Sequence, residues 1–521
     1  MSGVFHLLRL AHAGFVLARE GVLALVDPAA VPPGPRLLLR LGRLIERRNA
    51  GSGAVRLAVA LTRLGPSYVK LGQFLATRPD IVGATIARDL ETLQDRMPPF
   101  SQAEAEAAVA EGLGQPLTQL FEQFGPAVAA ASIAQVHRAD VKHADGTRSA
   151  VAVMVLRPHI EYRFQRDLDS FLYIARLAER HSAEARRLRL ISVVETLARS
   201  VAIEMDLRLE AAAFSELAEN TRDNPDFRVP AVDWERTARR VLTVEWVDGI
   251  PLSDRAALLA AGHDPVRLAR VLIQSFLQQA IGDGFFHADL HPGNLFVDAK
   301  GRLVAVDCGI MGRLGPKERK FLAEILFGFI TRDWKRTAEI HFEAGYVPSH
   351  HSIDDFAQAI RAIGEPIHDR RADEISMAKL LTLLFEVTAI FDMRTRPELL
   401  LLQKTMVVAE GVARSLDPKL DMWSTAEPVV RAWIERHLGP IGKIEDAAQE
   451  LGALGRLIGQ APSLLSRAAG TIERFDEQTR DGLVLSPETV DAIGRAEARR
   501  WRWTAAALWV IAALIALWIF R

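Results

Sequence analysis

The sequence predicts an α+β fold in two lobes, a small sheet-bearing lobe followed by a larger helical one, with helical additions at both ends and an apolar helix at the C-terminus. Three observations carry this. Residues 131–156 contain two runs of alternating character around an A-D-G-T turn, the pattern of a β-hairpin. The sequence on either side reads mostly with helical periodicity. The stretch 503–520 has no internal charge and at about 1.5 Å per residue reaches roughly 27 Å, the thickness of a bilayer's hydrocarbon core.

At 521 residues the chain is too long for one compact core and implies two or three structural units. Lys and Arg total 64 against 65 acidic residues, so no global field attracts nucleic acid and no nucleic-acid partner is expected. Cys308 is the only cysteine, which excludes an intramolecular disulfide framework and suits a reducing compartment.

The N-terminal stretch F-H-L-L-R-L-A-H-A-G-F-V-L-A-R-E is interrupted by Arg9, His12, Arg19 and Glu20, so it lacks the uninterrupted core of a signal peptide. An amphipathic helix is expected, lying on a membrane or packed on the body. Pro32, Pro33 and Pro35 break it from the next helix. Helical patterns then run to about Glu111, with S-Q-A-E at 101–104 reading as a helix start after Pro98 and Pro99.

The strand zone comes next: A-S-I-A-Q-V-H-R-A-D-V at 131–141, the turn at 144–147, and V-A-V-M-V-L at 151–156. In the last, Val151, Val153 and Val155 share one face and Ala152, Met154 and Leu156 the other. Helical segments occupy about 160–220. V-P-A-V-D-W at 229–234 and R-V-L-T-V-E-W-V-D-G-I-P at 240–251 read as further strands, and from Asp264 onward only L-F-V-D at 295–298 and L-V-A-V-D at 303–307 interrupt a helical pattern. The terminal stretch is expected to be a membrane anchor rather than a buried core helix. Arg495, Arg499, Arg500 and Arg502 precede it and only Arg521 comes after it, which places the main body in the cytoplasm.

The chemistry concentrates in F-F-H-A-D-L-H-P-G-N-L-F-V-D-A-K-G-R-L-V-A-V-D-C-G-I, residues 285–310. Asp289 and Asn294 have the D-x-x-x-x-N spacing of a kinase catalytic loop, in which the aspartate receives a hydroxyl proton and the asparagine holds a metal. Asp307, two residues before Gly309, stands where the D-F-G aspartate bridges Mg²⁺ to phosphate. A zinc site at His287 and His291 is disfavoured because Pro292 and Gly293 make a loop there. Asp298 with Gly301 reads as a hairpin turn, and Cys308 as a packed small hydrophobe. Glu245-Trp246-Val247 stands where an adenine-binding hinge would, and strand-end packing explains it as well. A kinase would carry a Gly-rich loop upstream; here A-V-A-A-A-S-I-A-Q-V-H at 127–137 has no glycine, and its methyl groups hinder backbone approach to phosphate.

This alanine-rich loop, H-A-D-L-H-P-G-N, D-C-G and K-L-G-Q at 70–73 together resemble the UbiB family of atypical kinase-like proteins, which support ubiquinone biosynthesis. The family's K-x-G-Q, E-x-D and E-A motifs match Lys70 with Gln73, Glu204 with Asp206, and Glu210 with Ala211, and the resemblance runs over roughly residues 58–440. It implies a protein-kinase-like bilobal fold divided into an amphipathic segment (1–57), a helical K-x-G-Q extension (58–120), an N-lobe (121–248), a C-lobe (249–440), a C-terminal helical segment (441–500) and a transmembrane helix (503–520). It also implies binding of ATP with Mg²⁺ and ATPase-like chemistry. Asp289 would be the catalytic aspartate, with Lys70, Gln73 and Glu210 beside it, and Asn294 and Asp307 the metal ligands. Val128, Ala129, Ala130, Ala131, Ser132, Ile133, Ala134, Gln135 and Val136 would form the nucleotide loop, with Met154, Glu245 and Val247 completing the nucleotide site. The implied partners are membrane lipid, polyprenyl-phenol or quinone intermediates and other ubiquinone-biosynthesis proteins, at the cytoplasmic face of a bacterial inner membrane.

Two positions depart from the family pattern. Ala213 stands where asparagine is common after Glu210. Met154 occupies the place of the strand lysine; it nearly matches lysine's length but neither binds phosphate nor neutralises Glu210. Three readings therefore stand: an atypical kinase or ATPase, a nucleotide-binding scaffold without turnover, and a quinone-ring hydroxylase. The last lacks a G-x-G-x-x-G flavin fingerprint and a redox cysteine pair.

Overall fold

The computed structural model describes residues 3–25, 45–46, 53–76, 78–91, 93, 97–143, 145–368, 387, 390–393 and 397–439. The proline break at 32–35, the C-terminal segment 441–500 and the apolar stretch 503–520 lie outside them. Among the described residues no helix is long and apolar enough to cross a membrane. The chain divides into two units, Met1–Ile434 and Glu435–Arg521, and the first contains the three sheets of the described residues and the whole of the candidate site.

Helix α1 (Gly3–Arg19) packs one face on the body: His6, Ala13 and Ala18 are buried, His6 Nδ1 lies 3.1 Å from Ser170 Oγ, and Arg9 donates to the Arg166 carbonyl. Phe5, Leu8 and Phe15 remain exposed. Helices α2 (Gly53–Leu64), α3 (Pro66–Ala76) and α4 (Ala84–Glu91) enclose a core of Leu57, Leu61, Val69, Leu90 and Leu93. Pro66 opens α3 at the position where its missing N–H costs nothing. The expected start at Ser101 is a capping box: the Ser101 hydroxyl accepts from the Glu104 amide and the Glu104 carboxylate accepts from the Ser101 amide, opening α5 (Gln102–Leu113).

Strands β1 (Gln123–Ala130), β2 (Ala134–Lys142), β3 (Arg148–Leu156) and β5 (Val241–Glu245) form an antiparallel sheet in the order β1-β2-β3-β5. The valine face of β3 is the core face. Val151, Val153 and Val155 pack with Val141, Val241 and, from α5, Ala108 and Val109, each buried side chain contributing about 1.5–3 kcal/mol. Met154 lies on the other face, half-buried, in a row with Val136 and Leu242. Strand β1 replaces the loop expected from residue 127: Val128 to Ala130 belong to β1, Ala134 to Val136 to β2, and only Ala131, Ser132 and Ile133 turn between them.

Helices α6 (Ile160–His181), α7 (Leu190–Glu204) and α8 (Leu207–Asn220) fill the expected helical stretch. V-P-A-V-D-W is not a regular strand. Pro230 has no amide to offer a ladder, and the Asp233 carboxylate accepts from the Glu235 and Arg236 amides to start a 3₁₀ turn, leaving only a bridge between Val232 and Val244.

A second four-stranded sheet is ordered β4-β9-β8-β6, from β4 (Phe227–Arg228), β6 (Gly249–Pro251), β8 (Leu295–Asp298) and β9 (Leu303–Ala305). The buried helix α9 (Pro265–Leu277) runs into a π-helical turn, Gln278–Asp283, which leads to β7 (Phe285–His287). Strand β7 pairs with β10 (Met311–Arg313). Helices α10 (Pro316–Thr331), α11 (Trp334–Glu343), α12 (Ile353–His368), α13 (Pro397–Leu416) and α14 (Met422–Leu438) complete the helical part.

Candidate functional site

The segment 285–310 folds as a loop between two strand pairs, and its backbone accounts for its geometry. Pro292 starts a 3₁₀ turn, Pro292–Asn294, and His291 Nδ1 caps it by accepting from the Gly293 amide at 3.1 Å. The turn swings Asn294 back onto Asp289: its Nδ2 donates to Asp289 Oδ2 at 3.2 Å and to the Asp289 carbonyl at 3.3 Å. The Asn294 amide nitrogen is thus spent on Asp289, and its oxygen, the atom a hard cation takes, is not. The β8–β9 register then sets Asp307 beside this pair, because Val306 donates its amide to the Asn294 carbonyl at 2.9 Å. Asp307 Oδ1 accepts from the Gly309 amide at 2.8 Å, which fixes the carboxylate at the start of the D-C-G turn.

His287 ties the two halves together. Its Nδ1 accepts from the Asp289 amide at 3.1 Å, so the proton sits on Nε2, which donates to the Asp307 carbonyl at 2.5 Å. The ring is fully buried, and burial holds its pKa below the usual imidazole value, keeping it neutral. Gln279 Oε1 accepts from the His287 amide, and Thr405 of α13 donates to the Ala288 carbonyl at 3.0 Å. Both nitrogens of His287 are committed and His291 caps a turn, so the two do not form a zinc site. His287 is therefore a positioning residue. Its sequence spacing suggests only a metal ligand, because spacing does not disclose which backbone groups a ring will meet. Thr405, supplied by a helix more than a hundred residues away, leaves no local signal, and Gln279 acts only through the π-helical turn that precedes β7.

Glu210 projects from α8, which Asp206 caps by accepting from the Arg208 amide. Its Oε1 is shut off from solvent and makes no hydrogen bond. Burial first, then the Asp307 carboxylate, hold Glu210 well above the usual carboxylate range; the Cys308 amide, Glu204 and Lys70 act in smaller measure, Glu204 upward and the other two downward. Lys70 of α3 pairs directly with Glu204 at 2.6 Å. Gln73, one turn on, is half-buried on the same helix. Cys308 is buried and its thiol is pushed up, first by burial and then by Asp307 and Glu210, which makes it inert.

The alanine-rich hairpin is pinned from below. Ala131 donates to the Ala134 carbonyl at 2.8 Å, the Arg157 guanidinium donates to the Ala131 and Pro98 carbonyls, and the Arg157 amide to that of Ile133. Gln135 is buried, accepting from the Phe100 amide and donating to His137 Nε2, so its side chain serves the fold. Val128 is exposed. At the hinge position the Glu245 carboxylate accepts from Arg228 at 2.9 and 3.1 Å, and Arg228 reaches Asp298 at 3.3 Å, joining β5 of the first sheet to β4 and β8 of the second. Val247 lies between β5 and β6. Asp298 and Gly301, the latter with φ +77°, form the expected hairpin turn.

The sequence matches the ABC1 atypical kinase-like domain over residues 92–341 and the UbiB helical domain over residues 360–421. A protein of Azotobacter vinelandii named "Probable protein kinase UbiB" is 39% identical over 419 residues, covering 80% of this chain and 77% of that protein. One of the same name from Marinobacter nauticus is 38% identical over 455 residues, covering 86% and 82%. Among solved structures, the complex of Rv3197 with erythromycin from Mycobacterium tuberculosis aligns at 23% identity and a TM-score of 0.48, over 72% of this chain and 91% of that one.

Proposed function

The chain belongs to the UbiB family of atypical kinase-like proteins, and from that membership and its site we propose that it binds ATP with Mg²⁺ and supports ubiquinone biosynthesis at a bacterial inner membrane. The observation that carries this is the His287-braced convergence of Asp289, Asn294 and Asp307. The donor set fits the metal: a carboxylate and an amide oxygen suit a hard cation, and no soft ligand is exposed beside them among the described residues. Mg²⁺ held by Asp307 and Asn294 would offset phosphate charge. Asp289 would take the proton of an attacking hydroxyl or water as that oxygen bonds to the γ-phosphorus and the bond to the departing ADP oxygen breaks, with Asn294 keeping the carboxylate oriented. The stretch 503–520 anchors the chain, with the body on the cytoplasmic side.

Met154 favours a second reading, a nucleotide-binding scaffold without turnover, because position 154 offers no cation and Lys70 is engaged by Glu204. Phosphate release from ATP by the purified full chain, with and without lipid vesicles, separates the two. The ubiquinone role is tested in bacteria lacking their own UbiB protein. The wild-type chain should restore quinone content and Asp307→Asn should not; equal restoration by both would remove the site from the function.

A further inference from the structure

Outside the cleft, one group of side chains has the composition and spacing of a metal site. His350 and His351 sit in the loop before α12, and Asp392 in the turn Phe391–Met393. Asp392 Oδ2 lies 3.4 Å from His351 Nε2 and 3.8 Å from His350 Nε2, and the ligand atoms of all three residues lie within 4.8 Å of one another. Tetrahedral Zn²⁺ with bonds of about 2.0–2.1 Å holds its ligand atoms about 3.4 Å apart, so one edge is in place and the others close by an ångström or so.

We propose that His350, His351 and Asp392 bind a borderline divalent cation, Zn²⁺, with a fourth position left to water. A second observation points to a ligand independently of the spacing. His351 Nε2 is closed off from solvent and makes no hydrogen bond, although Asp392 Oδ2 lies 3.4 Å away, beyond the usual N–H···O range. A buried ring nitrogen without a donor or acceptor is costly, and a cation between it and the carboxylate satisfies both. The ligands stand on firm ground. The His351 amide donates to the Pro348 carbonyl, closing the turn that presents both imidazoles, and the His351 ring rests 5.3 Å from the Phe391 ring. Val347 and Phe391, neighbours of the ligands in sequence, belong to one core cluster with Trp334, Phe356 and Ile360. Two imidazoles and one carboxylate select Zn²⁺ over Mg²⁺, which prefers all-oxygen octahedra. The histidines fall between the two matched domains, at 341 and 360, and Asp392 within the second, so the metal fastens the junction of the kinase-like domain to the helical domain.

The test is calorimetric titration of Zn²⁺ into the full chain in detergent, after EDTA treatment and dialysis, with Co²⁺ absorption as a second readout. One equivalent should bind, with a tetrahedral cobalt spectrum. His350→Ala and Asp392→Ala should each weaken binding by more than about tenfold, and His351→Ala should do the same; Asp392→Asn, a residue that tolerates the left-handed backbone at that position (φ +47°), separates loss of the carboxylate from backbone strain. Asp307→Asn, at the other metal position, should leave it unchanged. Absence of stoichiometric Zn²⁺ binding, or equal binding by the wild type and the His350→Ala/Asp392→Ala pair, would overturn the proposal and leave a histidine–aspartate ion pair.

Discussion

Met154 and Glu210 pose the sharpest question at the scale of single residues. A carboxyl shut off from solvent beside Asp307 cannot carry its charge cheaply, and the pKa of Glu210 is held high in response, so a proton does what a strand lysine would do. Lys70 of the K-x-G-Q helix pairs with Glu204 and bears only weakly on Glu210. Met154→Lys should therefore raise ATP hydrolysis, by up to about a hundredfold if the ammonium reaches the phosphates. Because Lys70 is held by Glu204, Lys70→Ala should change nucleotide affinity about equally in the Met154 protein and in the restored one. Unchanged hydrolysis in Met154→Lys would mean that position 154 does not face phosphate; a larger loss from Lys70→Ala in the Met154 protein would give Lys70 the compensating role instead. The residues that motif spacing assigns to the site, Asp289, Asn294 and Asp307, are the ones the structure brings together, because their spacing is enforced by a local turn and hairpin. The role of His287 is not legible in the same way, since it depends on backbone groups 2 and 20 residues away.

Elements explain where periodicity fails. Strand β1 shows no alternation because Gly125 and Pro126 interrupt it and its register slips between Phe124 and Ala129, the signature of a bulged edge strand. Strands β7 and β10 are three residues each, too short to show a period. The hairpin β2–β3, with nine paired positions, is fully legible. The π-helical turn before β7 adds a pH dependence. Asp283, at its end, has its pKa pushed up to about 6, burial outweighing the pull of Arg319. The folded state thus holds the proton more tightly than the unfolded chain, whose value is near 3.8, and the carboxyl's favourable contribution is lost as pH rises through about 6. Asp283→Asn should raise the melting temperature increasingly from pH 4 to 7 and then level off; a gain independent of pH would contradict this. The bridge from β4 makes a second case. Arg228→Ala leaves buried Asp298 ion-paired to Arg302 and takes the guanidinium from Glu245, so unfolding in denaturant should show a loss of about 1–2 kcal/mol, less than for a fully buried pair because Glu245 is partly exposed. No change would mean the two sheets are not coupled through Arg228.

At the scale of the whole molecule the mixed α/β character is legible because strand and helix patterns differ in period, whereas how α13 reaches back to the catalytic loop through Thr405 depends on tertiary contact alone. The apolar stretch 503–520 gives a test at this scale. The full chain should sediment with membranes and resist carbonate, and a chain ending at Ala498 should be extractable, with the exposed Phe5, Leu8 and Phe15 of α1 contributing residual lipid binding. A full-length protein found in the soluble fraction would contradict the anchor. A cation-dependent nucleotide site is what the proposed function requires above all, and calorimetry of ATP binding addresses it most directly. With Mg²⁺ the wild-type chain should bind one nucleotide, and affinity should fall sharply with EDTA or in Asp307→Asn; equal affinity under all three conditions would contradict the kinase-like site.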